Sequence, residues 1–125
     1  MINNLLEKVS TIYIAYGVTD FRKQIYSLCK IVETKFNIDP YSTAAFIFCN
    51  RKRNSIKVLC YDKNGFVLAL KTLLDAQKMK FQWPRNQEEM KKITKEQLNW
   101  LLSGLKMYPD KYFKDIKLDN KNIAN

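Results

Sequence analysis

None of the 125 residues is a histidine. That absence excludes serine–histidine triads, histidine general bases and the usual zinc-ligand spacings. Glycine is scarce as well, with three in the whole chain, and no Gly-rich phosphate loop or dinucleotide fingerprint occurs. No uncharged apolar run approaches the roughly 20 residues of a membrane-spanning helix, and the first residues lack the pattern of a secretory leader. Acids are the minority charge, 12 Asp and Glu against 22 Lys and Arg, for a net charge of +10. Asp20, Glu33, Asp39, Asp62 and Asp75 fall on different predicted elements. No carboxylate set of the kind that holds metals in DNA-cutting enzymes is visible, so no catalytic residue, metal or cofactor is expected. The three cysteines, Cys29, Cys49 and Cys60, are an odd number without a close pair. Their apolar neighbours mark them as buried, reduced thiols of a cytoplasmic protein.

What is present is one domain's worth of apolar sequence. The hydrophobic fraction is 46% and the charged fraction 27%, enough for a core without metal or disulfide support. Two hairpin signals lie back to back between Phe46 and Trp83. Phe46 to Cys49 is an apolar run. Ile56, Val58 and Cys60 then alternate with Lys57, Leu59 and Tyr61, and Phe66, Leu68 and Leu70 alternate with Val67, Ala69 and Lys71. Period-two alternation with aromatic and β-branched residues predicts an antiparallel meander. A five-residue turn over Asn50 to Asn54 places Cys49 opposite Ser55 and Cys60 opposite Ala44, too far apart for Cys49 and Cys60 to bridge. Gly65 is expected to supply the positive φ of the second turn.

Upstream, Val9 to Tyr16 reads as a strand with apolar residues on both faces, hence interior to a sheet, and Gly17 ends it. A helix is predicted next, with Thr19 as N-cap and Phe21, Ile25, Leu28, Val32 and Phe36 as its apolar stripe. Arg22 and Lys23 would then sit in its first turn, where they either form an anion site with the free amides or are taken up by Asp20. Lys71 to Lys80 fits a short helix or a continuing strand, Phe81 to Trp83 a last strand or packed extended piece, and Arg85 to Ile93 a linker. Thr94 and Gln97 form a capping box for a short C-terminal helix with Leu98, Leu101, Leu102 and Leu105 inward. Trp100 points off that stripe, toward either a partner or a neighbouring loop. The expected class is α+β: an antiparallel β-meander with an N-terminal strand, one helix packed across the sheet and a short C-terminal helix. Residues 1–105 form the domain and 106–125 a basic, partly mobile tail.

The cations are distributed unevenly. Arg51, Lys52, Arg53 and Lys57 crowd one hairpin, Arg22 and Lys23 sit at the predicted helix start, and Lys78, Lys80 and Arg85 flank Phe81 and Trp83. Such residues attract phosphates irrespective of sequence, exposed aromatics can stack on bases, and a basic two-stranded ribbon can enter a major groove.

Several segments carry a resemblance: Tyr16-Gly17-Val18-Thr19-Asp20-Phe21-Arg22-Lys23, Asp39-Pro40, Phe46 through Arg53, Lys57-Val58-Leu59, Tyr61-Asp62, Asn64-Gly65-Phe66, Phe81-Gln82-Trp83-Pro84 and Leu101 through Leu105. In this order they resemble the TnpB-type accessory proteins encoded by the second reading frame of a family of bacterial insertion sequences, which are distinct from the RNA-guided nucleases sharing that name. The chain departs from the pattern at Thr72, where the family usually has arginine, and in a longer segment before Phe81. The resemblance implies a role in transposition alongside a separate, larger transposase. The reading that results is a non-catalytic accessory factor binding transposon-end DNA, or the DNA–transposase assembly, with Arg22, Lys23, Arg51, Lys52, Arg53 and Lys57 on phosphates. The alternative is an adaptor that docks the transposase through Trp83 and Trp100 without touching DNA. No membrane partner is expected.

Overall fold

The computed structural model of the chain describes residues 2–74, 80–85 and 89–103. The predicted tail, its boundary at residue 105 and residues 75–79 of the ambiguous Lys71–Lys80 segment lie outside these residues, while Lys71 and Thr72 continue the strand. A five-stranded mixed sheet forms the frame, in the order β4-β3-β2-β1-β5. Its strands are β1 (Thr11–Ala15), β2 (Ala44–Cys49), β3 (Ser55–Asp62), β4 (Gly65–Thr72) and β5 (Met90–Ile93). The helices are α1 (Ile2–Leu6), α2 (Ile25–Lys30) and α3 (Lys95–Leu102), and α2 runs on into a π-helical turn at Ile31–Lys35.

The meander forms as its alternation predicts: β2, β3 and β4 pair antiparallel in sequence. β1 is interior, parallel to β2 and antiparallel to β5. A parallel neighbour needs a crossover connection, which the α2 segment supplies. The period-two pattern sorts the apolar side chains onto two faces. Ile56, Val58 and Cys60 join Ile12, Ile14, Phe81, Trp83, Leu98 and Leu101 in one core. Phe46, Phe48 and Leu59 form the other with Leu28 and Val32 of the helical layer. A sheet covered on both faces explains why β2 is buried along its whole length.

Four expectations are corrected. The predicted linker contains β5, a short edge strand whose Lys91 and Lys92 hide it from a hydrophobicity reading. The β2–β3 register differs by one residue: Cys49 faces Ile56 and Cys60 faces Ala45. Asn50 stays in the ladder, its amide donating to the Ser55 carbonyl at 3.2 Å, so the loop proper is residues 51–54. At the β3–β4 turn the positive φ belongs to Lys63 (55°), and Gly65 pairs with Asp62 inside the ladder.

The helix start is the fourth correction. Thr19 is not an N-cap; α2 begins six residues later, after Gln24. The Phe21 and Lys23 carbonyls, which a helix starting at Thr19 would give to the amides of Ile25 and Ser27, instead accept from Lys57 Nζ at 2.9 and 2.8 Å. The first intrahelical bond is Leu28 N–H to the Gln24 carbonyl. The apolar stripe survives this shift, since Phe21, Ile25, Leu28, Val32 and Phe36 all meet the same core. Asn37, at φ 56°, ends the helical segment in the left-handed region that asparagine tolerates. The capping box on α3 is complete: Thr94 Oγ1 accepts from Gln97 N–H at 3.0 Å, and Gln97 Oε1 accepts from Thr94 N–H at 2.9 Å.

Candidate nucleic-acid interface

Three stretches far apart in sequence meet at one end of the sheet. Gly17, at φ 90°, turns the chain out of β1, a conformation that suits glycine. Its amide donates to the Pro84 carbonyl, and two residues on the Thr19 amide donates to Cys49. The β2–β3 loop is tied to the segment around Trp83 by Phe81 N–H to the Arg53 carbonyl at 2.7 Å. Arg85 Nη2 donates to the carbonyls of Asn50 and Arg51. A loop crowded with cations is thus held by its backbone oxygens rather than by acids.

The loop's shape comes from its two bracketing asparagines. Asn50 Oδ1 accepts from the amides of Asn54 and Ser55, both at 3.1 Å, and Asn50 Nδ2 donates to Asn54 Oδ1 at 2.6 Å. Arg53 lies between them at φ 59°. Its amide donates to the Asn50 carbonyl, closing a tight turn. Asn50 and Asn54 were not among the residues assigned to the site from the sequence, their symmetric bracket around a cationic loop being the one visible signal; Arg85 was noted among the cations but given no place in the site.

Between this loop and the Val18–Arg22 stretch lies an open cleft of about 790 Å³, lined on one side by residues 18–22 and on the other by Asn50, Arg51, Lys52, Asn54 and Ser55. Of the six cations assigned to phosphates, Arg22, Arg51 and Lys52 line it directly. Lys23 and Arg53 adjoin the lining residues and are half-buried. Lys57 is placed otherwise. At 6% exposure, its ammonium lies 4.9 Å from the Phe21 ring centroid and is spent on the two carbonyls of the Phe21–Lys23 turn. Burial lowers its pKa, with the Asp20 charge acting in the opposite direction. Lys57 holds one wall of the cleft from beneath, and its ammonium is taken up within the protein.

Asp20 answers the choice left open by the sequence. Its Oδ1 accepts from the Arg22 amide at 3.0 Å, and the Arg22 guanidinium donates through Nε and Nη2 to the same carboxylate, at 2.6 Å for the Nη2 contact. The Arg22 side-chain hydrogen bond, joined by the amide bond from the same residue, holds the Asp20 carboxyl far below the usual carboxylate range. No free helix amides accompany them, because the helix has not begun.

The aromatic residues assigned to partner contacts are placed differently from one another. Trp83 is 4% exposed and belongs to a core, with Nε1 donating to the Ala15 carbonyl at 2.8 Å. It anchors the segment that carries Arg85. Trp100 is half-buried on α3. The three cysteines are free thiols. Burial raises the pKa of each, and pushes that of Cys49 up to about 12 against the pull of Arg85 and Arg53. Among the described residues no group of three or more Cys, Asp or Glu is placed to hold a metal, and no helix is long and apolar enough to cross a membrane.

Comparison with known proteins gives the chain a context. The family described as "IS66 Orf2 like protein" matches residues 10–111, a span that contains both cleft walls. An uncharacterized protein, y4hO, from Sinorhizobium fredii is 32% identical over 94 residues, covering 75% of this chain and 79% of that protein. No solved structure matches.

Proposed function

The chain belongs to the IS66 Orf2-like family, and from that premise we propose that it is a non-catalytic accessory factor of transposition, working beside a separate transposase and binding DNA through the cleft between the Val18–Arg22 stretch and the β2–β3 loop. One observation carries this reading: the fold sets the cationic β2–β3 loop, with Arg51 and Lys52 facing solvent, across an open cleft from the wall that holds the Asp20–Arg22 pair and adjoins Lys23. Surface lysines scattered at random require no such scaffold. Here two asparagine side chains, Arg85, Lys57 and a left-handed Arg53 hold the walls in place. Preorganised cations lose little freedom on meeting a phosphate backbone.

Among the described residues Lys23, Arg51, Lys52 and Arg53 have no salt-bridge partner. If each neutralises one phosphate, the log–log salt dependence of duplex binding has a slope of about −3 to −4, at 0.9 per contact. Titration of the intact protein against duplexes from the insertion-sequence ends and against random duplexes, over a series of salt concentrations, tests this. Absence of binding, or binding insensitive to salt, overturns it. Association with the transposase alone would then favour an adaptor.

A further inference from the structure

We propose that Arg22, buttressed by Asp20, reads the O6/N7 edge of a guanine in the bound DNA and is not one of the phosphate contacts. This rests on the DNA-binding reading above and assigns a different task to one cation of the same cleft.

The argument begins with charge. Arg22 and Asp20 form a closed pair of zero net charge, so together they release few counterions and make a poor phosphate clamp. A guanidinium whose one edge is paired with a carboxylate is well suited to base recognition. Nε and one hydrogen of Nη2 are committed to the carboxylate. The opposite edge, one N–H each from Nη1 and Nη2, has no acceptor among the described residues, and the side chain is 91% exposed. Two parallel donors of this kind match guanine O6 and N7 in the major groove. The fork is also oriented before binding. Asp20 accepts from the Arg22 amide, fixing the backbone beneath it. Lys57 grips the carbonyls on either side of Arg22, and the Thr19 amide is tied to β2. Across the cleft Arg51 and Lys52 carry no such acidic partner among the described residues. Unneutralised cations there suit the backbone, which sets register, while the paired, charge-neutral fork suits a base edge, which sets specificity.

The test is selection of bound duplexes from a pool with a randomised central segment, with the intact protein and two variants, followed by titration on the selected and on random duplexes. The parent enriches a guanine at one fixed position. Arg22→Lys keeps the charge and loses the fork. It reduces discrimination for that guanine by about tenfold or more, while affinity for random duplex stays within about twofold and the salt slope is unchanged. Asp20→Asn adds one unit of positive charge and frees the guanidinium. It binds random duplex more tightly, steepens the slope by about 0.9 and weakens the preference. Both residues are exposed, and matched melting temperatures verify that the variants fold. If Arg22→Lys retains the guanine preference, or loses affinity equally on every sequence, Arg22 is not a base reader and this inference fails alone. If the parent binds no duplex at all, the DNA-binding reading fails and takes this inference with it.

Discussion

Replacing Lys57 with Met removes the ammonium that shapes the cleft while keeping an unbranched side chain of similar volume. Lys57 lies on β3 between Phe48 of β2 and Leu70 of β4. Its two hydrogen bonds, at 2.9 and 2.8 Å, are of the charge-assisted kind, each contributing about 1.5–3 kcal/mol. Against this stands the cost of keeping an ammonium almost out of water, several kcal/mol for a single ion after relaxation. Most of the two terms cancel, and the remaining loss comes from the two forfeited charge-assisted bonds and the rearrangement of the Phe21–Lys23 turn. A net destabilisation of about 1–3 kcal/mol follows, roughly 3–12 °C for a domain of this size. A local change accompanies it. With the Phe21 and Lys23 carbonyls released, Ile25 and Ser27 can donate to them, and α2 can extend toward Thr19. Thermal melts and amide exchange read the two effects separately: the melting temperature falls, and the Ile25 and Ser27 amides become more protected. On the DNA-binding reading, duplex affinity falls as well, although the Lys57 ammonium is taken up within the protein. A variant with parental melting temperature and unchanged exchange at Ile25 and Ser27 would refute the role given to this ammonium.

Thr94→Ala opens the capping box of α3 and should cost about 1 kcal/mol, a drop of a few degrees in melting temperature that Thr94→Ser largely avoids. Arg53→Gly relieves the left-handed backbone at φ 59° and removes one cation from the loop. Partly offset by the added freedom of the unfolded chain, it should raise stability by up to about 1 kcal/mol while flattening the salt slope of DNA binding by about 0.9. For the thiols, the folded pKa of Cys49 at about 12 stands above its ordinary 9.0. The associated stability is therefore complete below pH 9 and is lost as pH rises from 9 toward 12. Denaturant melts across that range should show the decline, and Cys49→Ala should flatten it.

The strands and their two faces were legible because alternation is a local property. Ile56, Val58 and Cys60 reach one core and Phe46, Phe48 and Leu59 the other, as their spacing dictates. The start of α2 was not legible. Thr19 has cap chemistry and Asp20 sits beside it, but the Thr19 amide is tied to Cys49 and the Phe21 and Lys23 carbonyls are taken by Lys57, 36 residues away from Phe21. The same long-range contact explains why Lys57 looked like a phosphate contact from its position among Arg51, Lys52 and Arg53. β5 escaped notice because an edge strand needs little apolar character, and its two central residues are exposed lysines. The one-residue register shift came from the Asn50 side chain, which caps the loop amides while its own backbone remains in the ladder. Trp83, assigned to a partner in the adaptor reading, instead fills a core with its indole and donates to the Ala15 carbonyl. The cleft itself was half visible, as two cationic clusters whose meeting depended on pairing between β1 and β2.

The central claim is that the cations of the β2–β3 loop meet DNA phosphates, and it is tested most directly by replacing Arg51, Lys52 and Arg53 together with Ser. Backbone hydrogen bonds from Arg85, Phe81 and the bracketing asparagines shape this loop without the three side chains, so melting temperature should stay the same or rise slightly. Affinity for duplex DNA should fall tenfold or more at moderate salt, and the log–log slope should flatten by about two to three units, at 0.9 per lost phosphate contact. A triple variant that binds duplex as tightly as the parent, with the parental slope, would contradict the account.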